Sequence, residues 1–176
     1  MICAVVLAAG ASTRFGSPKQ RLLLPEVLER VSESAVDDVV VVLGAHPVGE
    51  VGARTVWCPE WADGPGASLR CGLRALSAEV EAAVVVLADG PDLSPRTIDA
   101  VIGVWRGEGD PVVAASYAED ERSHPVLLAR EVWDRIPDEG ARRLPARLVP
   151  CSELGFPGDV DFEDDLPARL KPSAAE

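Results

Sequence analysis

The chain has 176 residues, 47% of them apolar, which suits one packed domain and leaves little room for two. With 17 basic and 29 acidic residues it carries a formal charge of −12, which argues against nonspecific binding to nucleic acid or to an anionic membrane. A phosphorylated substrate therefore requires that positive charge be gathered locally or that a metal ion be brought in.

The first element is the apolar run ICAVVLAAG, 2–10. Two like it follow, DVVVVLG at 38–44 and AAVVVLADG at 82–90. Each is rich in Val, lacks polar alternation and ends in Gly or Asp, the pattern of buried parallel strands with turns at their carboxyl ends. Helical patterns lie between them. Residues 25–35 open with Pro-Glu, 68–76 open with a Ser cap, and 94–105 open with Ser-Pro and set Ile98, Val101, Ile102 and Trp105 on one face. Strands at 111–115 and 126–129 and a short helix at 130–136 come next. The alternation predicts an α/β fold whose mainly parallel sheet is covered on both faces. Residues 1–171 are expected to form the domain and 172–176 to fray.

Cys3, Cys58, Cys71 and Cys151 show no CxxC spacing, and with only His46 and His124 there is no zinc pattern. All four cysteines are expected to be small buried hydrophobes. The first ten residues lack a basic leader and their apolar run is too short to span a bilayer, so the cytoplasm is the expected location.

The segment LAAGASTRFGSPK, 7–19, follows the first predicted strand, where open α/β sheets place ligands. Gly10 and Gly16 allow close approach of the backbone, consecutive N–H groups form an anion nest, Arg14 offers a fork to phosphate oxygens and Lys19 a point charge. The loop is neither a Walker A sequence nor a GxGxxG fingerprint. A plain surface loop is the competing reading. Against it stands lysine usage: the chain has two lysines, Lys19 and Lys171, and the internal one falls in this loop.

LAAGASTRFGSPKQ resembles the LA(A/G)GxSxRxGxxK signature of the nucleotidyltransferases that mature the molybdenum cofactor, and of relatives acting on sugar and isoprenoid phosphates. The resemblance implies a three-layer α/β/α sandwich, Rossmann-like, with a mainly parallel mixed sheet. It also implies that Leu7, Ala8, Ala9, Gly10 and Ser12 bind nucleotide and that Arg14 and Lys19 are catalytic. Further segments match in order. GPGASLRCGL, 64–73, resembles the stretch near base and ribose, with Gly66 and Ser68; by itself it reads equally as a capped helix start. VVVLADGPDLSP, 84–95, puts Asp89 where the family binds Mg²⁺ and nucleotide; alone it is a turn-former. GDVDFEDDL, 158–166, resembles the closing segment from which the family's second metal contact comes, with Asp161 as first choice and Asp159 as second; alone it is a solvated acidic segment. SHPVLLAREVW, 123–133, and DEGARRL, 138–144, resemble acceptor-side segments, with His124 as an acceptor contact or simply a structural residue.

The activity so implied is transfer of a nucleoside monophosphate from a triphosphate to a phosphorylated acceptor, with Mg²⁺, releasing pyrophosphate. In the family LAAG accompanies cytidine and LAGG guanosine, so Ala9 points to CTP. A molybdenum-cofactor precursor is the expected acceptor, and a molybdoenzyme or cofactor chaperone the expected protein partner. Two other readings stand: a related guanylyl- or sugar-phosphate transferase, and a nucleotide-binding regulatory or chaperone-like domain without turnover. The chain departs from the family in its short run from Lys19 to Asp38, in Gly90, in Phe162-Glu163 and in Ser123.

Overall fold

Three Val-rich runs occupy the middle of a seven-stranded sheet. They are β1 (Ile2–Ala8), β2 (Asp38–Leu43) and β4 (Ala82–Leu87), and β1 lies between the other two, parallel to both. The computed structural model describes residues 1–119 and 121–171, so the tail expected to fray lies outside the described residues. The remaining strands are β3 (Arg54–Trp57), β5 (Val112–Ala118), β6 (Glu121–Ala129) and β7 (Arg147–Pro150), and the sheet order is β3-β2-β1-β4-β6-β5-β7. Only β6 runs against its neighbours, so the sheet is mixed and mainly parallel.

Helices cover both faces, as the uninterrupted apolar runs require. On one face α1 (Gln20–Ser32) and α3 (Pro95–Glu108) pack Leu24, Val27, Val31, Ile98, Val101 and Ile102 on the sheet. On the other, α2 (Pro65–Arg74) and the 3-10 turns at Arg130–Arg135 pack Leu69, Leu73, Val132 and Trp133. Among the described residues no helix is long and apolar enough to cross a membrane.

Local expectations shift in three places. α1 starts five residues before Pro25, which the sequence pattern takes as its first turn. An internal proline removes one helical hydrogen bond at a cost of about 3 kcal/mol. Leu23, Leu24, Val27 and Val31 are fully buried, and each contributes about 1.5–3 kcal/mol, so the helix survives. α2 also starts early: Gly64 is its cap and Pro65 its first residue, leaving Ser68 inside the helix. The third shift concerns cysteine. Cys3 and Cys151 are free and buried as expected, but Cys58 and Cys71 form a disulfide. The loop after β3 lies on α2 and brings their Cα atoms to 5.8 Å, within bridging range, although nothing in their spacing announces the pair.

Candidate active site

The strand order reverses between β1 and β4, because β1 leads outward to β2 and β3 while β4 returns on its other side. The crevice beyond the carboxyl ends of these two strands is where doubly wound sheets bind ligands. The glycine loop after β1 lies there. Within the described residues the amides of Gly10, Ala11, Ser12, Thr13 and Arg14 donate to no protein acceptor, so a run of N–H dipoles is free for an anion. Ser12 holds a left-handed φ of 53°, a conformation that costs a non-glycine residue about 1–2 kcal/mol. Its hydroxyl donates to Gln20 Oε1 at 2.8 Å, and Gln20 Nε2 donates to Gly10 O at 2.6 Å. His46 Nε2 lies 2.9 Å from Ala11 O. Gln20 and His46 brace the loop from α1 and from the segment after β2. Sequence reasoning missed both, though a polar residue as buried as Gln20 needs such partners.

Lys19 and Asp89 are 70 residues apart, yet the Lys19 ammonium is 3.4 Å from an Asp89 oxygen and 3.6 Å from one of Asp161. It also donates to Val160 O. The other Asp161 oxygen accepts from Arg14 Nη1 at 2.5 Å. The late acidic segment reaches the crevice as a strap laid over the end of β4, through Val160 N to Asp89 O at 3.0 Å and Asp92 N to Pro157 O at 2.9 Å. Gly90, a departure from the family pattern, has a packing reason: a Cβ there would come within 3.2 Å of Pro157. Burial, and then the charges of Asp89 and Asp161, push the Asp159 carboxyl above its usual range. Asp89 and Asp161 thus meet at the Lys19 ammonium, Asp159 lies near enough to feel both of their charges, and exposed Arg14 adds a second cation on Asp161. This hard oxygen donor set fits a small divalent cation.

The remaining residues expected on the nucleotide side lie on β1, just after it, and on α2. Leu7 O accepts from Ala88 N, which ties β1 to the turn carrying Asp89. Ala8 and Ala9 are buried on opposite faces, and Ala9 packs in the cluster that holds Leu69 and Cys58. Gly66 is committed internally: its N–H donates to Asp138 O at 2.9 Å, and a Cβ would sit 2.0 Å from Pro137 O. Its small size lets the segment after the Arg130–Arg135 turns close on α2. Ser68 is buried in the first turns of α2.

His124 lines a cavity of about 110 Å³ with Asp89, Asp159, Gly90, Leu93 and Phe156. Its carbonyl accepts from Tyr117 Oη at 3.0 Å. Burial, helped by the Arg122 charge, depresses its pKa to about 4. The folded value lies below the ordinary 6.5, so the unfolded chain binds the extra proton first. The stabilising contribution is complete above about pH 6.5 and is lost as pH falls toward 4. Chemical denaturation of wild type and His124→Gln at pH 7 and pH 4.5 is expected to show a larger acid loss in wild type, on the order of 2–3 kcal/mol. Equal losses would place the histidine in contact with solvent.

Residues 4–150 match the family model of the MobA-like NTP transferase domain. A probable molybdenum cofactor guanylyltransferase of Chloroflexus aggregans is 31% identical over 136 residues, 72% of this chain. The chain spans 64% of that protein's length. A crystal structure from Mycobacterium tuberculosis superposes with a TM-score of 0.74 at 29% identity, covering 93% of this chain and 94% of that one. The manganese complex from that organism gives 0.72 at 27%, covering 93% and 95%. A seven-stranded switch-point sheet, a glycine loop of free amides and this match over most of the chain agree: the protein belongs to the MobA-like nucleotidyltransferases.

Proposed function

We propose that this enzyme transfers CMP from CTP to the phosphate of a molybdenum-cofactor precursor, with Mg²⁺, and releases pyrophosphate. The reading takes 1–171 as one catalytic domain working in the cytoplasm and handing product to a molybdoenzyme or cofactor chaperone. The observation that carries it is Lys19, held between Asp89 and Asp161 at the mouth of a loop of free amides.

An acceptor phosphate oxygen attacks the α-phosphorus, and the bond from that phosphorus to the bridging oxygen of pyrophosphate breaks. The nucleophile is already anionic, so no general base is needed. The amides of Gly10 to Arg14 and the Ser12 hydroxyl hold the triphosphate oxygens. Arg14 exchanges Asp161 for phosphate, which its exposure permits. Lys19 stabilises the charge that grows at the α-phosphate. Asp89 and Asp161, with Asp159 beside them, would hold a divalent cation, which supplies charge neutralisation for the phosphates. The manganese-bound relative supports a divalent ion in this class of site. His124, in the cavity beside Asp89, would face the acceptor.

Ala9 supports the choice of base. The support is the family pattern that pairs LAAG with cytidine; in the structure the methyl group is buried in the cluster beside α2. A guanylyltransferase is the second reading, favoured by the name of the Chloroflexus relative. In direct competition with Mg²⁺ and a phosphorylated pterin acceptor, CTP is expected to outrun GTP by at least roughly tenfold. Equal or better turnover with GTP would establish the second reading. Absence of pyrophosphate release with every triphosphate would leave a nucleotide-binding domain without turnover.

A further inference from the structure

Arg122 stands outside the cluster of Lys19, Asp89 and Asp161. It lies on β6, which runs antiparallel to β4. The last paired residues of the two strands are Val85 and Val126, so residues 121–125 continue past that pair toward the carboxyl end of β4 and the crevice. There Arg122 pairs with Ser116 of β5. Its Nη1 donates to Leu144 O, which ties together the two segments that resemble the family's acceptor side.

The rest of the guanidinium has no partner. Nε and Nη2 are both buried and make no hydrogen bond. Burying polar N–H groups unpaired costs about 1–3 kcal/mol each, and more when the group is charged. In a folded protein such a group calls for an explanation. Among the described residues no ion pair includes Arg122. Its charge is felt nearby, since it helps to depress the His124 pKa, and His124 lines the cavity shared with Asp89 and Asp159. The 3-10 turn Ala141–Arg143, which leads to Leu144, adds exposed Arg142 and Arg143, also without ion-pair partners among the described residues. Arg122 is thus one hydrogen bond away from a segment that carries two further arginines, in a protein of net charge −12.

We propose that Arg122 is an anion-binding residue that takes a phosphate monoester of the acceptor, its two unpaired nitrogens, Nε and Nη2, being kept for that ligand. A fork of this geometry matches a phosphate edge, and desolvation strengthens the pair. Because both donors are covered, the ligand enters by displacing the turn that ends at Leu144. Within that turn Leu144 N donates to Ala141 O and Arg143 N to Gly140 O, and Ala141 seats it in the core cluster beside α2. The assignment of this anion to the acceptor rests on the transfer reaction proposed above.

The test uses the full chain with Mg²⁺ and tripolyphosphate, which fill the glycine loop whatever base is preferred. Inorganic phosphate is then titrated while the thermal midpoint is followed. Phosphate is expected to raise the midpoint of wild type, to leave Arg122→Met unmoved and to act weakly on Arg122→Lys, which keeps the charge without the fork. Without phosphate, the midpoint of Arg122→Met is expected not to fall, because two unpaired donors are removed. Equal responses of wild type and Arg122→Met, or no response in wild type, would overturn the proposal. If Arg122→Met does not fold, Arg122→Lys against wild type decides in the same way. With a phosphorylated acceptor, Arg122→Met is expected to raise the acceptor KM by roughly tenfold or more and to leave the CTP KM unchanged. If wild type keeps the phosphate response and Arg122→Met loses it, while wild type transfers nucleotide to no acceptor, the transfer reading fails and the anion site stands.

Discussion

Lys19→Ala is expected to lower turnover by about 10²–10³-fold, the range for removal of one preorganised charge donor at a transition state. Its environment makes the variant informative about folding too. A loop lysine taken from the sequence alone would contribute little to stability. In the structure its ammonium is largely buried, at 13% exposure, against Asp89, Asp161 and Val160 O. Removing it leaves carboxylates facing each other and frees the strap that carries Asp161. We therefore expect a loss of stability on the order of 1–3 kcal/mol in metal-free protein. Mg²⁺ should restore most of it, because a cation between the carboxylates replaces the missing charge. Steady-state kinetics and denaturant unfolding with and without Mg²⁺ read both effects. Full activity would remove Lys19 from the chemistry, and a stability loss indifferent to Mg²⁺ would separate the carboxylates from metal binding.

Asp89→Asn is expected to abolish metal-dependent turnover, by at least roughly a hundredfold, while folding changes little. The amide preserves shape but loses the charge that a hard cation needs. Lys19 keeps Asp161 as partner, and Asp159 loses one of the two negative neighbours that raise its pKa. The net effect on stability is expected to stay within about 1 kcal/mol. Titrations of Mg²⁺ and Mn²⁺ against pyrophosphate release, with Asp161→Asn run beside it, give the comparison. If the two carboxylates share one ion, both variants shift metal dependence in the same way. If Asp89→Asn keeps wild-type metal dependence, the shared site is wrong.

The Val-rich runs β1, β2 and β4 were legible as buried parallel strands because a strand covered on both faces needs no polar alternation, and that is a local property. The glycine loop with Arg14 and Lys19 was legible for a similar reason: free amides and the cations beside them lie within one short stretch. The edge strands β3 and β7 were not read. RTVW and RLVP are short and partly exposed, and β3 carries Trp57 at 52% exposure, so little hydrophobic pattern marks them. The start of α1 was hidden because Pro25 argues locally for a boundary, whereas the burial of Leu23 and Leu24 against the sheet outweighs it.

By itself, then, the sequence determined which segments must be buried, their order and the glycine loop with its two cations, because periodicity and side-chain chemistry act over a few residues. Tertiary structure alone decided that Asp161 and Asp89 meet at Lys19, that Gln20 and His46 hold the loop, that Cys58 bonds Cys71 and that two guanidinium nitrogens of Arg122 are buried unpaired. These partners are separated by up to 142 residues in the chain. Their meeting follows from strand order and from the strap crossing the end of β4, and no local pattern encodes that order.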